Sequence, residues 1–158
     1  MVSAGHKTLD VCGPAVVIEN KGLSYTETKL TDFIPDKPGQ LSYIDGCSNS
    51  NLIDPYRNGD PCLNYLFFPA GIEQTFHTHP SFRIGYVLSG KGYAEIKRSK
   101  DVVESVPLEQ DTVFVLDRHT LHRFITLEDN MSLAVYHPDS EDGPRDELNP
   151  MMSRTYLR

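Results

Sequence analysis

Residues 71–90 read GIEQTFHTHPSFRIGYVLSG, and two histidines in this segment, His77 and His79, stand two positions apart. On a β-strand, residues i and i+2 point to the same face. We therefore expect both imidazoles on one side of a strand, close enough to share an ion. A third histidine, His122, begins a later predicted strand and can complete the set from across a barrel. Neutral imidazole is a common metal ligand, and three of them leave coordination positions open for water or substrate.

Short strand-like runs flank this segment and recur about every ten residues. Turn-forming residues separate most of them, as in Ser89-Gly90-Lys91-Gly92 and Glu128-Asp129-Asn130. The predicted strands are Leu63–Phe68, Gln74–His79, Ile84–Ser89, Tyr93–Lys97, Val102–Val106, Thr112–Leu116, His122–Thr126 and Ser132–Tyr136. Regular short strands without a long amphipathic helix are typical of an all-β sandwich or barrel.

The length of the chain, 158 residues, suits a single domain. We predict an irregular N-terminal arm over residues 1–61, with short strands at Ala15–Glu19 and about Leu41–Ile44. A barrel core follows over residues 62–137, and residues 138–158 form a C-terminal tail that contains Pro144 and Pro150.

Composition excludes several classes of partner. The net charge of −7 argues against nucleic-acid binding, which needs a basic face. No run approaches the roughly 20 apolar residues of a membrane-spanning helix, and residues 1–10 lack the apolar core of a signal peptide. The three cysteines, Cys12, Cys47 and Cys62, are too few and too widely spaced for a disulfide framework. We expect a cytoplasmic protein that binds neither membrane nor nucleic acid.

The intervals around the first two histidines resemble the first motif of the cupin superfamily. That motif runs glycine, five residues, His-x-His, three or four residues, glutamate, six residues, glycine. This chain has Gly71, His77, His79, Arg83 and Gly90 at those intervals, so arginine stands where the glutamate belongs.

The second cupin motif runs glycine, five residues, proline, one residue, glycine, two residues, histidine. At those intervals this chain has Asp111, Asp117, His119 and His122, so only the final histidine keeps its identity. The resemblance covers about residues 62 to 137. It implies a double-stranded β-helix, or jelly-roll barrel, with its site inside. It also implies one divalent ion, such as Fe, Zn, Ni or Mn, on His77, His79 and His122.

Arg83 is the main departure from the cupin pattern. A guanidinium cannot ligate a metal, but it can bind a carboxylate or phosphate through two parallel hydrogen bonds. In a regular strand Arg83 shares the inward face with His79, so we interpret it as a catalytic-site residue that binds an anionic substrate. Two alternatives stay open from sequence: Arg83 pairs with Glu73, Glu95 or another acid, or Glu73 turns inward and ligates the metal.

Other polar and aromatic residues carry weaker signals. Most aromatic residues on the strands are expected in the core, and Tyr65 is our candidate for an inward tyrosine that donates a hydrogen bond to a ligand. Cys62 is expected to be a small buried residue rather than a nucleophile. His137 has no partner that the sequence identifies. The residues expected on the turn or outer face beside the third ligand are Arg118, His119 and Arg123.

These features predict a metal-dependent enzyme that acts on a small polar, anionic molecule. Three-histidine cupin sites resemble those of iron dioxygenases, and with Zn²⁺ the same site suits a lyase or an isomerase. Residues 77–85 also resemble the cupin part of enzymes that join two nitrogens in hydrazine biosynthesis, which use a synthetase-like partner. The alternative is a non-enzymatic module that binds a metal or small ligand. Small cupins resemble one another in pairing through N-terminal strands, so we expect a homodimer.

Overall fold

The structure is a computed structural model that describes residues 12–19, 34, 36–55 and 59–139. Contacts between Cα atoms divide the chain into two units, Met1–Pro35 and Asp36–Arg158. In the first unit, residues 12–19 contain no strand, so the strand predicted at Ala15–Glu19 is wrong. Val16, Val17 and Ile18 are exposed there. An apolar run becomes a strand only when a neighbouring strand accepts its hydrogen bonds.

The described part of the second unit is almost entirely β-structure. Its elements are β1 (Leu41–Ser42), a 3₁₀ helix (Ile44–Gly46), β2 (Ser48–Ile53), β3 (Cys62–Phe68), β4 (Arg83–Ser99), β5 (Val102–Glu109), β6 (Val113–Leu116), β7 (His122–Ile125) and β8 (Met131–His137). All strand pairs are antiparallel. One sheet has the order β1-β2-β3-β8-β4-β6, and the second consists of β5 and β7 on either side of the distal half of β4. This is the double-sheet jelly roll that the sequence predicts.

Strand β4 belongs to both sheets. The sequence predicts two strands with a turn at residues 89–92, but the structure has one strand, Arg83–Ser99, that bends there. Its first half pairs with β8 and β6, and its second half pairs with β5 and β7. Gly90 has φ +74°, and a Cβ at this position would lie 1.9 Å from the carbonyl oxygen of Asn130. Glycine therefore allows the strand to change sheets without ending.

Most other strands agree with the sequence prediction to within one or two residues, although β5 extends to Glu109 and only Leu41–Ser42 of the run predicted at about Leu41–Ile44 is a strand. The segment predicted as a strand at Gln74–His79 is an exception. It makes a single isolated bridge, between His77 and His122, and the residue before it, Glu73, makes another with Ile125. Within the described residues, no helix is long and apolar enough to span a membrane.

The inward face of the first sheet changes character along its length. Alternate residues of β3 and β8 face the core, which includes Phe68, Leu133 and Phe124. The Phe68 and Phe124 rings meet edge to face at a centroid distance of 5.5 Å. Towards the start of β3 and β4 and the end of β8, the same inward parity carries polar residues instead. These are Asn64, Cys62, Arg83 and His137. One end of the barrel interior is thus apolar and the other polar.

Candidate metal centre

Three histidines converge at the polar end of the barrel. The backbones of His77 and His122 exchange two hydrogen bonds, with N···O distances of 2.9 and 3.0 Å. The ring centroids of His77 and His122 lie 4.5 Å apart, and that of His79 lies 5.2 Å from His77 and 5.1 Å from His122. One ligand nitrogen from each ring lies within 4.8 Å of the other two. The structure therefore brings together the three residues predicted as metal ligands.

Backbone carbonyls orient two of these imidazoles. Nδ1 of His77 lies 2.9 Å from the carbonyl oxygen of Thr75, and Nδ1 of His122 lies 2.8 Å from that of Thr120. A carbonyl only accepts hydrogen bonds, so each Nδ1 carries the proton and each Nε2 keeps its lone pair. Nε2 of His122 is buried and has no hydrogen-bond partner. A bound cation would satisfy this nitrogen, so the donor set fits a divalent metal ion.

The surroundings keep the imidazoles of His79 and His122 neutral. Burial, followed by the neighbouring His77 and Arg83, lowers the pKa of His122 to about 3, and the hydrogen bond to Thr120 acts in the opposite direction. The pKa of His79 is also held well below its usual range, first by burial and then by nearby positive charges, including that of Arg83. Neutral imidazole is the form that binds a metal. His79 and His122 are thus in the ligating state at neutral pH.

Both acidic residues suggested as partners for the site bind another arginine. The Glu73 side chain is 65% exposed, and its Oε1 lies 2.5 Å from Nη1 of Arg123. Oε2 of Glu95 lies 2.7 Å from Nε of the same arginine, whose guanidinium carbon lies 4.6 Å from the centroid of the Phe76 ring. The alternatives in which Glu73 ligates the metal, or Glu73 or Glu95 neutralises Arg83, are therefore wrong.

Arg83 lies inside the barrel, with a relative exposure of 6%. Its Nη1 donates to the carbonyl oxygen of Phe82 at 3.0 Å, to that of Ser81 at 3.2 Å, and to the Ser81 hydroxyl. Its Nε is buried without a partner. Ser81, which Arg83 contacts, follows His79 by two residues. The charge of Arg83 contributes to the lowered pKa values of His79 and His122.

Tyr65 lies on the opposite face of the sheet from the cluster. Its neighbours on β3, Asn64 and Leu66, have the inward parity, and the Tyr65 hydroxyl donates to the carbonyl oxygen of Lys37 at 2.9 Å. The structure does not bring Tyr65 to the histidines, so this site prediction is corrected. The alternation along β3 could have excluded Tyr65, because Leu66 and Phe68 face the core and Tyr65 is one position out of phase with them. Tyr43, in the arm before the barrel, packs against the core instead. Burial raises the pKa of its hydroxyl, and the charge of Arg83 offsets part of that rise.

Two polar residues near Arg83 were missed as site residues. Burial, and then the charge of Arg83, lowers the pKa of His137 to about 3, and its Nε2 is buried without a partner. Asp139 follows two residues later and has a buried, unpartnered Oδ1. Cys62 is opposite His137 in the register of β3 and β8. Burial raises the pKa of the Cys62 thiol, in keeping with a buried residue rather than a nucleophile.

An open groove lies on the loops that adjoin this polar interior. Three segments line it: the residues after His79, those before His119, and those after β8. The lining residues are Pro80, Ser81, Phe82, Asp117, Arg118, Pro138 and Asp139. The Ser81 hydroxyl accepts a hydrogen bond from Arg83. The groove therefore reaches a residue that contacts the buried guanidinium.

The sequence matches no protein-family model and no curated protein, but solved structures share the fold. A cupin-like protein from Thermotoga maritima is 16% identical, with a TM-score of 0.55 over 78% of this chain and 96% of that protein. The DMSP lyase DddQ from Ruegeria pomeroyi is 18% identical (TM-score 0.50), and the match covers 57% of this chain and 45% of the lyase.

An oxalate oxidase in complex with the substrate analogue glycolate is 21% identical, with a TM-score of 0.51. The match covers 68% of this chain and 59% of the oxidase. This chain therefore spans less than two thirds of both the lyase and the oxidase. At these identities the comparisons establish the fold, and they confirm the cupin-type jelly roll predicted from the sequence.

Proposed function

We propose that this protein is a metal-dependent enzyme that acts on a small anionic molecule. In this proposal His77, His79 and His122 hold one divalent ion. One observation carries the proposal: three imidazoles converge in a barrel interior that also holds a buried arginine whose Nε has no partner. The ion would supply Lewis acidity and open coordination positions, which suit a lyase, an isomerase or, with a redox-active metal, a dioxygenase.

The balance of charge supports an anionic substrate. Among the described residues, the ligand cluster contains histidines and no carboxylate, so its own atoms do not offset the charge of a divalent ion. Arg83 adds a further positive charge within the same interior. Such a site attracts anions, and a guanidinium binds a carboxylate through two directed hydrogen bonds.

The protein groups in this site are held in place before any ligand binds. Carbonyl oxygens of Thr75 and Thr120 fix two of the imidazoles, and carbonyl oxygens of Ser81 and Phe82 fix one end of the Arg83 guanidinium. These contacts leave Nε2 of His122 and Nε of Arg83 for other partners. A preorganised set of this kind orients a substrate with little rearrangement.

Elemental analysis of protein purified without a histidine tag tests the metal site. We expect about one divalent ion per chain, and loss of most of it in His77→Ala, His79→Ala and His122→Ala. His119→Asn is the matched control, because His119 is exposed and has φ +61°, a conformation that asparagine tolerates. Stoichiometric metal in a variant lacking all three ligands would refute the proposal.

Turnover separates an enzyme from a binding module. The metal-loaded protein would be incubated with small carboxylic acids while dissolved oxygen and products are followed. Oxygen consumption indicates a dioxygenase, and product formation without oxygen consumption indicates a lyase or isomerase. Stoichiometric metal and ligand binding without turnover would support the non-enzymatic alternative.

A further inference from the structure

Several buried polar atoms without a protein partner belong to residues at the polar end of the barrel. They are Nε of Arg83, Nε2 of His122, Nε2 of His137 and Oδ1 of Asp139. Burying such an atom without a hydrogen bond is unfavourable, so each calls for an explanation. A metal ion accounts for the His122 nitrogen. The other three atoms need a different partner.

Arg83 opens β4 where that strand pairs with the end of β8, and Asp139 follows β8 by two residues. Ser81, which Arg83 contacts, lines the same groove as Asp139. Two opposite charges therefore lie at one end of the barrel without pairing. The carboxylate of Asp139 raises the pKa of Arg83 against the stronger effect of burial. Nevertheless, within the described part of the chain, no ion pair joins them, and Nε of one and Oδ1 of the other both lack partners. One molecule that carries both an acceptor and a donor would satisfy both atoms.

We propose that Arg83 and Asp139 are the two ends of one subsite, and that its ligand is a small amino carboxylate. The carboxylate of the ligand would accept from Arg83, and its ammonium group would donate to Asp139. This inference rests on the proposed function and narrows it to a ligand whose anionic group is a carboxylate and which also carries an ammonium group. Both contacts are charge-assisted hydrogen bonds, which are stronger than neutral ones.

The placement of the two residues gives the ligand an orientation. Asp139 lines the open groove, whereas Arg83 is buried behind Ser81. The ammonium group would therefore lie towards the groove and the carboxylate towards the interior. The neutral ring of His137 adds a hydrogen-bonding nitrogen beside them without adding charge.

The subsite also excludes some anions. A dicarboxylate would place its second negative group against Asp139, where like charges repel in an interior of low dielectric constant. A monocarboxylate would satisfy Arg83 but leave Asp139 without a donor. The expected order of affinity is amino carboxylate, then monocarboxylate, then dicarboxylate.

Isothermal titration tests this order with defined probes. Glycine, β-alanine and 4-aminobutyrate vary the spacing between ammonium and carboxylate, and acetate, malonate and ethylamine are the comparison compounds. We expect the best amino carboxylate to bind at least about tenfold more tightly than acetate, as one added charge-assisted hydrogen bond predicts. Asp139→Ala should remove this advantage and leave acetate binding unchanged. Asp101→Ala, in an exposed turn, is the matched control.

The same titrations on metal-free protein separate the subsite from the metal. Chelation of a metal by an amino carboxylate would give an advantage that persists in Asp139→Ala and disappears without metal. The subsite gives an advantage that persists without metal and disappears in Asp139→Ala, even if the protein proves to hold no metal. If no amino carboxylate outbinds acetate on the metal-free protein, a water molecule suffices between Arg83 and Asp139, and the inference is overturned.

Discussion

Acid should destabilise the metal-free protein, and His137 should contribute a defined share of the effect. Burial and the adjacent Arg83 lower the pKa of His137 from 6.5 to about 3. Between these two values the unfolded chain binds a proton at His137 and the folded protein does not. Lowering the pH through this window therefore favours unfolding, by about 1.4 kcal/mol per pH unit for each such histidine.

His137→Asn removes this group while keeping a polar side chain of similar reach. As the pH falls by two units from about 6.5, the wild-type protein should lose about 2.3 kcal/mol of unfolding free energy that the variant keeps. The other groups near His137 are Arg83, His79, Cys62 and Asp139. They are present in both proteins, as is His122, so their own titrations largely cancel in the difference.

Urea unfolding followed by circular dichroism measures this difference. The protein would be kept in excess chelator at pH 6.5, 5.5 and 4.5 (roughly the upper half of the window given by the two pKa values). His119→Asn, an exposed position, should follow the wild-type curve. If the unfolding free energies of wild type and His137→Asn fall by the same amount as the pH is lowered, His137 is not buried in its neutral form and the reasoning fails.

Further predictions concern the support of the site, the bend in β4 and the assembly. Arg123 connects Glu73, in the segment that carries the first two ligands, to Glu95 on β4. Arg123→Ala should therefore weaken metal binding about 10–100-fold by competition with a chelator, and an equal loss in Arg98→Ala, whose ion pair is exposed, would contradict this. Gly90→Ala should lower the unfolding free energy by about 1–3 kcal/mol, and an unchanged urea midpoint would refute the steric argument. Light scattering should show a homodimer, and a monomer at micromolar concentration would disprove it.

The strands and the histidine cluster could be predicted because their signals are local. Alternation with a period of two identifies β3, β6, β7 and β8 within a residue or two. His77 and His79 face the same interior because they stand two residues apart. His122 meets them because β7 opens at that residue, and a bridge to His77 fixes its register.

The errors come from places where the backbone departs from regular geometry. Glu73 shares sequence parity with His77, but the segment between them is not a continuous strand, and the buried Gln74 interrupts the alternation. Glu73 therefore points outward while His77 points inward. From the sequence, the bend at Gly90 looks like a turn between two strands, because glycine is common both in turns and in bent strands. Asp139 could not be linked to Arg83 because the pairing of β8 with β4 is not local.

Arginine at position 83 has a consequence for the coupling between metal and ligand. In the cupin motif a glutamate supplies negative charge at this interval, whereas here the neutral oxygens of Ser81 and Phe82 orient Arg83 without neutralising it. The nearby acids Glu73 and Glu95 bind Arg123 instead. Asp139 offsets part of the Arg83 charge, but the histidine cluster contains no carboxylate to offset a divalent ion, so net positive charge is left for a ligand to neutralise. A bound anion would then strengthen metal binding, and by thermodynamic reciprocity the metal would strengthen anion binding by the same factor.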